Sequence, residues 1–129
     1  MPSPHFRPLI AALCGAAVLV LAGCGESTGP TGATCPSGST LTAQNFGNAF
    51  MNQYCNRCHS STLSGAARQD APPGVDFDTL EGVRREAKDI DAWSGSGPDR
   101  TNTEMPPNGS MPTTEERKKL SEWLACGAP

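Results

Sequence analysis

Cys55-Asn56-Arg57-Cys58-His59 is the stretch on which the reading of this chain turns, because it gathers two thiols and an imidazole within five residues. Two intervening residues leave the thiols about one helical turn apart, so both can address a single bound group. Thiols at this spacing also serve zinc sites and disulfide-exchange centres, and the flanking sequence has to separate these chemistries. Immediately upstream, residues 42–54 read as a helix that runs straight into Cys55. Thr42 is the expected N-cap, with Leu41 and Phe46 placed as a hydrophobic staple across it. Phe46, Phe50 and Tyr54 recur every four residues and mark the buried face. Gly47 lies beside that stripe, where its missing side chain either admits a second helix or is neutral.

Further out, Thr113 and Glu116 have the spacing of a capping box, and Gly127 follows as a stop, so a last helix is expected from Thr114 to Ala125. Its apolar side is Leu120, Trp123 and Leu124. A middle helix is expected from Thr79 to about Ala92, with Asp78 as N-cap, Glu81 completing the box, and Leu80, Val83, Ala87 and Ile90 along one side. The result is an all-α domain of about three helices with no strand. The connections are long and rich in Gly, Pro and polar residues, which suits chain wrapped around a bound group better than a cofactor-free core.

The N-terminus reads as an export signal. His5 and Arg7 precede an apolar run from Leu9 to Leu21, short for a permanent membrane span. The run ends in Leu21-Ala22-Gly23-Cys24, which resembles the lipobox of bacterial lipoproteins. That resemblance implies removal of residues 1–23, lipidation of Cys24 and a membrane anchor of three acyl chains, which suffices for stable attachment. An ordinary cleaved signal or an uncleaved anchor are the alternatives. Residues 24–34, Gly/Thr/Pro-rich and without apolar periodicity, are expected to form a flexible tether, and residues 35–129 the domain. Gly25 after the cysteine resembles lipoproteins sorted to the outer membrane, although the inner membrane stays open.

With an export signal upstream and Met-Pro segments downstream, Cys55 to His59 resembles the haem-attachment motif of class I cytochromes c. The resemblance spans about Leu41 to Ala125. It implies a small cytochrome c-like fold around one covalent haem c, with Cys55 and Cys58 as thioethers and His59 as the proximal iron ligand. Once residues 1–23 are removed, His59 is the only histidine, so a methionine is expected on the opposite side. Met105-Pro106-Pro107 and Met111-Pro112 both resemble the family's Met-Pro segment. Met105 is favoured because it leaves room before the last helix, and Met111 is the lesser candidate. Met51, one turn before Cys55, is expected to pack. The family also implies that the first and last helices cross, placing Phe46, Gly47 and Phe50 against Leu120, Trp123 and Leu124. A proline carbonyl accepting from the histidine ring is implied as well, and Pro72 or Pro73 stands at that spacing, unless Ala71-Pro72-Pro73-Gly74 is simply a turn. Trp93 and Arg100 are candidates for haem propionates, with a core Trp and a surface Arg as the alternatives. Asp76 to Arg100 matches no family signature.

If haem takes Cys55 and Cys58, then Cys35 and Cys126 remain as a pair for an oxidising compartment, and a disulfide stapling the domain ends is expected. A four-cysteine zinc site is the rival, weakened by the absence of a second C-x-x-C. Removal of residues 1–23 from the 129-residue chain leaves 106 residues, few aromatics and a thin core that a buried haem would supplement.

These readings converge on an electron carrier on the periplasmic side of a bacterial envelope, not an enzyme. It is expected to be a monomer that meets redox proteins at the haem edge and binds no nucleic acid. Without Arg7 the charge is nine Lys/Arg against 13 Asp/Glu. No basic docking face is evident. The alternatives are a haem peroxidase or gas sensor whose methionine dissociates, and a haem-free lipoprotein held by disulfides or zinc.

Overall fold

The computed structural model describes residues 30–129. The signal peptide expected over residues 1–23, the lipidation of Cys24 and the first part of the tether lie outside the described residues. Helix α1 covers residues 43–55 as a continuous rod. It has an α-helical centre, Asn48–Phe50, between two π-helical turns, Ala43–Gly47 and Met51–Cys55. Thr42 caps it as expected: its hydroxyl accepts from Asn45 N, while the Asn45 side chain accepts from Thr42 N, closing a box. Short helices α2 (Leu80–Arg85) and α3 (Ala87–Ser94) follow, and α4 spans Thr114–Ala125. Among the described residues there is no strand, only an isolated bridge between Ser96 and Thr101, and the architecture is all-α.

α1 and α4 meet at Gly47. A Cβ at that position would run into the Trp123 indole, so the glycine is what allows the close approach. Phe46 stands edge-on to the same indole with ring centres 6.1 Å apart, and Phe46, Phe50 and Tyr54 stack successively along α1. Leu120 and Trp123 are fully buried, and Val83 and Ile90 join them from α2 and α3. α4 begins with the expected box, Glu116 N donating to Thr113 Oγ1 at 3.2 Å and Thr113 N to Glu116 Oε2 at 2.8 Å. The Tyr54 hydroxyl then donates to Glu116 Oε1 at 3.0 Å, tying the end of α1 to the start of α4.

Cys35 and Cys126 form a disulfide with Cα atoms 4.7 Å apart, joining the two ends of the domain. The residues after Cys126 also return to the fold. Ala43 N and Trp123 Nε1 both donate to the Pro129 backbone oxygen, so this short tail helps satisfy the open amides of α1.

Two expectations are corrected. The middle helix is divided at Glu86, and Thr79 rather than Asp78 caps its first half by accepting from Gly82 N at 3.1 Å. Asp78 is occupied elsewhere: its carboxylate accepts from Ser60 Oγ, Ser61 N and Ser61 Oγ, and these bonds, the Ser61 hydroxyl first, hold its pKa below the usual aspartate range. The flexible tether also ends earlier than Thr34. Thr31 is fully buried, with its amide and hydroxyl both bonded to the Asp91 carboxylate of α3. Ser121 Oγ of α4 donates to the same carboxylate at 2.5 Å. A buried carboxylate requires such donors, and Thr31 supplies two that neither helix offers.

Candidate functional site

The last π turn of α1 delivers Cys55 to the wall of a cavity of about 520 Å³, within the range of small-molecule and cofactor sites. The chain then tightens, with Cys58 N and His59 N both donating to Cys55 O, so the three reactive side chains follow one another around a single turn. Cys55, Cys58 and His59 all line the cavity. Both thiols are free. Phe50 and Tyr54 extend the apolar wall along α1, and Ile90 and Trp93 supply it from α3. The lining is mostly apolar, a place where a large flat hydrophobic group gains by leaving water.

His59 is fixed on both sides of its ring. It stacks on Phe77 with ring centres 4.6 Å apart, and its Nδ1 lies 3.0 Å from Val75 O. A carbonyl oxygen only accepts, so this contact assigns the proton to Nδ1 and leaves Nε2 with the lone pair. The expected Pro72 or Pro73 carbonyl is therefore replaced by Val75, a few residues further along the same loop. Pro72 O is engaged by Arg68 instead.

Arg68 organises that loop. It ends a 3-10 turn, Gly65–Arg68, and its buried guanidinium donates to the carbonyls of Ser60, Ala71, Pro72 and Val75 while pairing with Asp76 at 2.8 Å. The carbonyl that holds His59 is thus itself held. Sequence reading did not single out Arg68, since a lone arginine between small residues carries no periodic or motif signal.

Met105 lines the same cavity, together with Pro106, Pro107 and Pro112. The Met105–Pro106 peptide bond is cis. Both backbone polar groups of Met105 are fixed: its amide donates to Trp93 O at 2.9 Å, and its carbonyl accepts from Ser94 Oγ and from Arg117 Nη1. Met111 is 47% exposed and is not on the lining, and Met51 is buried in the core. Trp93 is on the lining and 44% exposed, neither a core residue nor remote from the site, whereas Arg100 is not on the lining.

The chemistry of these donors separates the candidate groups. Burial, reinforced by the neighbouring Cys58, pushes the pKa of the Cys55 thiol up to about 12, whereas disulfide-exchange centres lower the pKa of their attacking cysteine. A four-cysteine zinc site lacks its donors because Cys35 and Cys126 are bonded to each other. Among the described residues no three His, Cys, Asp or Glu side chains converge as a metal ion would need. A group that takes two thiols covalently, one imidazole nitrogen from one side and a thioether from the other fits the donor set. Among the described residues no helix is long and apolar enough to cross a membrane. Comparison of the chain with protein-family models, with curated proteins and with solved structures returns no match.

Proposed function

We propose that this chain binds one covalent haem c and carries single electrons on the periplasmic side of a bacterial envelope, held to the membrane by lipid on Cys24. The observation that supports this reading most is the single cavity lining shared by Cys55, Cys58, His59 and Met105, with His59 held so that Nε2 keeps its lone pair. On this reading the domain is a cytochrome c-like fold whose loops enclose the haem. Bound haem supplies the one-electron couple. Cys55 and Cys58 fasten it through thioethers, each thiol adding sulfur to one carbon of a vinyl group and hydrogen to the other. His59 Nε2 and the Met105 thioether would be its iron ligands, the imidazole oriented through Val75 and the thioether through its pinned backbone.

With both iron ligands supplied by the chain, the iron would be closed to substrate, so transfer to partner redox proteins at the exposed edge is the function proposed rather than catalysis. The apolar lining around Phe50, Tyr54 and Ile90 excludes water, which limits the reorganisation that accompanies each change of charge. A peroxidase reading would need a group to move a proton, and among the described residues the cavity lining holds no imidazole besides His59, while Asp70, Glu86 and Asp89 do stand on it.

The test is production in a host with c-type maturation machinery, followed by a pyridine haemochrome spectrum and haem staining of a denaturing gel. One covalent haem per chain is expected, lost when Cys55 and Cys58 are both replaced by Ala. A colourless, folded wild-type protein refutes the reading. Within the loaded protein, Met105→Leu removes the optical signature of methionine–iron coordination and Met111→Leu leaves it intact. The reverse result moves the distal ligand to Met111.

A further inference from the structure

α4 carries a buried cation whose partners all lie on the distal side of the site. Arg117 is 2% exposed, and its Nη1 donates to Ser94 O at 2.8 Å, Asn102 O at 2.9 Å and Met105 O at 2.9 Å. These carbonyls belong to the end of α3, to the loop that follows and to the methionine segment, so one guanidinium nitrogen gathers three stretches of chain that are otherwise joined by the isolated Ser96–Thr101 bridge and single backbone bonds such as Met105 N to Trp93 O and Asn102 N to Gly95 O. Among the described residues no carboxylate lies within ion-pair distance of Arg117. Burial lowers its proton affinity below the usual guanidinium value, with Glu104 acting in the opposite sense from a distance. Taking a cation out of water against neutral acceptors only is costly, and an apolar residue would fill an ordinary core position at less cost.

The proximal side provides a contrast. Arg68 is also buried, but Asp76 pairs with it, so that side gains a hydrogen-bonding fork with little net charge. The distal side has a cation bonded through Nη1 to three neutral carbonyls, with Glu104 and Glu116 acting on it only from beyond ion-pair distance.

We propose that Arg117 is the positioning residue of the distal ligand: its Nη1 holds the Met105 segment closed over the site, and its buried charge favours the electron-rich state of the group bound there. The inference rests on the haem reading above. A fixed positive charge in a poorly solvated region stabilises added negative charge, so the reduced form gains. Because Met105 is tied at its carbonyl rather than at sulfur, Arg117 acts on the thioether through the backbone.

Wild type, R117K and R117M are compared as haem-loaded full chains, by spectroelectrochemical titration and by binding of imidazole, which competes with Met105 for iron. R117M is expected to move the couple about tenfold toward the oxidised form, about 59 mV for one electron. R117K recovers most of that shift, since an ammonium keeps the charge. Both variants are expected to bind imidazole about tenfold more tightly, because the Lys side chain is one bond shorter and ends short of the Nη1 position from which the three carbonyls are reached, and Met has no donor. A general loss of stability would not separate the two variants by charge in this way. An R117M couple at the wild-type position overturns the electrostatic role, and unchanged imidazole affinity in R117K overturns the positioning role. If R117M does not accumulate as folded protein, the imidazole affinity of R117K decides the proposal alone. Absence of covalent haem from wild type, read from the stained gel of the same preparation, refutes the function itself and the inference with it.

Discussion

Individual side chains at this site are held by groups that accept or donate in one sense only, and this is what makes their roles assignable. Val75 O fixes the His59 tautomer because a carbonyl has no proton to give. The same logic yields a pH dependence at Glu116, whose carboxylate accepts from Thr113 N, Thr113 Oγ1 and the Tyr54 hydroxyl. Those bonds favour the ionised form and lower its pKa from the usual 4.5, the Thr113 amide contributing most. A group whose constant is depressed on folding contributes stability that is present above its unfolded value and lost as pH falls through its folded value. Glu116→Gln keeps an acceptor for the capping box but removes the charge. Wild type should therefore be more stable than the variant at pH 7, and the gap should close below about pH 4.5 in denaturant titrations repeated across pH. A gap independent of pH would show that the charge contributes nothing. At this scale the sequence was legible where a motif concentrates chemistry, as at Cys55, Cys58 and His59, and where proline marks a segment, as at Met105. It was not legible at Val75, Arg68 and Arg117. Their roles come from which backbone carbonyls the fold presents to them, and no pattern in the chain encodes that.

Among the helices, the ends were readable and the middle only in part, for a physical reason. α1 and α4 begin at side-chain caps with fixed spacing, Thr42 and Thr113, and their buried faces follow the helical period. The period of Leu80, Val83, Ala87 and Ile90 also held, since all four pack in or against the core, yet the rod is divided between α2 and α3. Glu86 is neither Gly nor Pro, so nothing in composition marks the division. Asp78 and Thr79 are both good caps, and the choice between them was made by Ser60 and Ser61, which lie too far away in sequence for local reasoning to reach. Gly47 shows the opposite case, a position with two readings that the partner helix resolves. Because a Cβ there meets the Trp123 ring, Gly47→Val should push α1 from α4 and cost about 1–3 kcal/mol of unfolding free energy, measured by denaturant titration. A variant as stable as wild type would mean that the indole swings aside at no cost and that the helix crossing does not depend on a glycine.

For the whole molecule, the N-terminal end of the domain is fastened twice, by the disulfide that joins Cys35 to Cys126 near the other end and by a polar cluster at Thr31. The disulfide closes a loop with a sequence separation of 91, and constraining so long an unfolded chain contributes on the order of 4 kcal/mol in the chain-entropy treatment. The double replacement of Cys35 and Cys126 by Ser should lower stability by that order while leaving the helical circular dichroism of the folded state unchanged. Loss of helix at neutral pH would mean instead that the bridge is needed for the fold to exist at all. Thr31 has a separate consequence. If Cys24 carries the lipid, only seven residue steps separate it from a buried, hydrogen-bonded residue, and seven extended residues reach at most about 25 Å. The domain would then stay close to the bilayer with the Thr31 side toward it, rather than ranging on a long strap, and a partner would have to approach from another side. Asp91 controls this arrangement, since its carboxylate accepts from Thr31 N at 2.7 Å and from the Thr31 hydroxyl. Asp91→Ala removes a charge-assisted bond worth about 1.5–3 kcal/mol, so hydrogen exchange at the Thr31 amide should accelerate by about tenfold to a hundredfold, whereas amides in the centre of α1 change less. Equal acceleration throughout the domain would place Asp91 in the global stability of the fold, and no acceleration at Thr31 would show that the segment is held by Asp99 N and Gly97 alone.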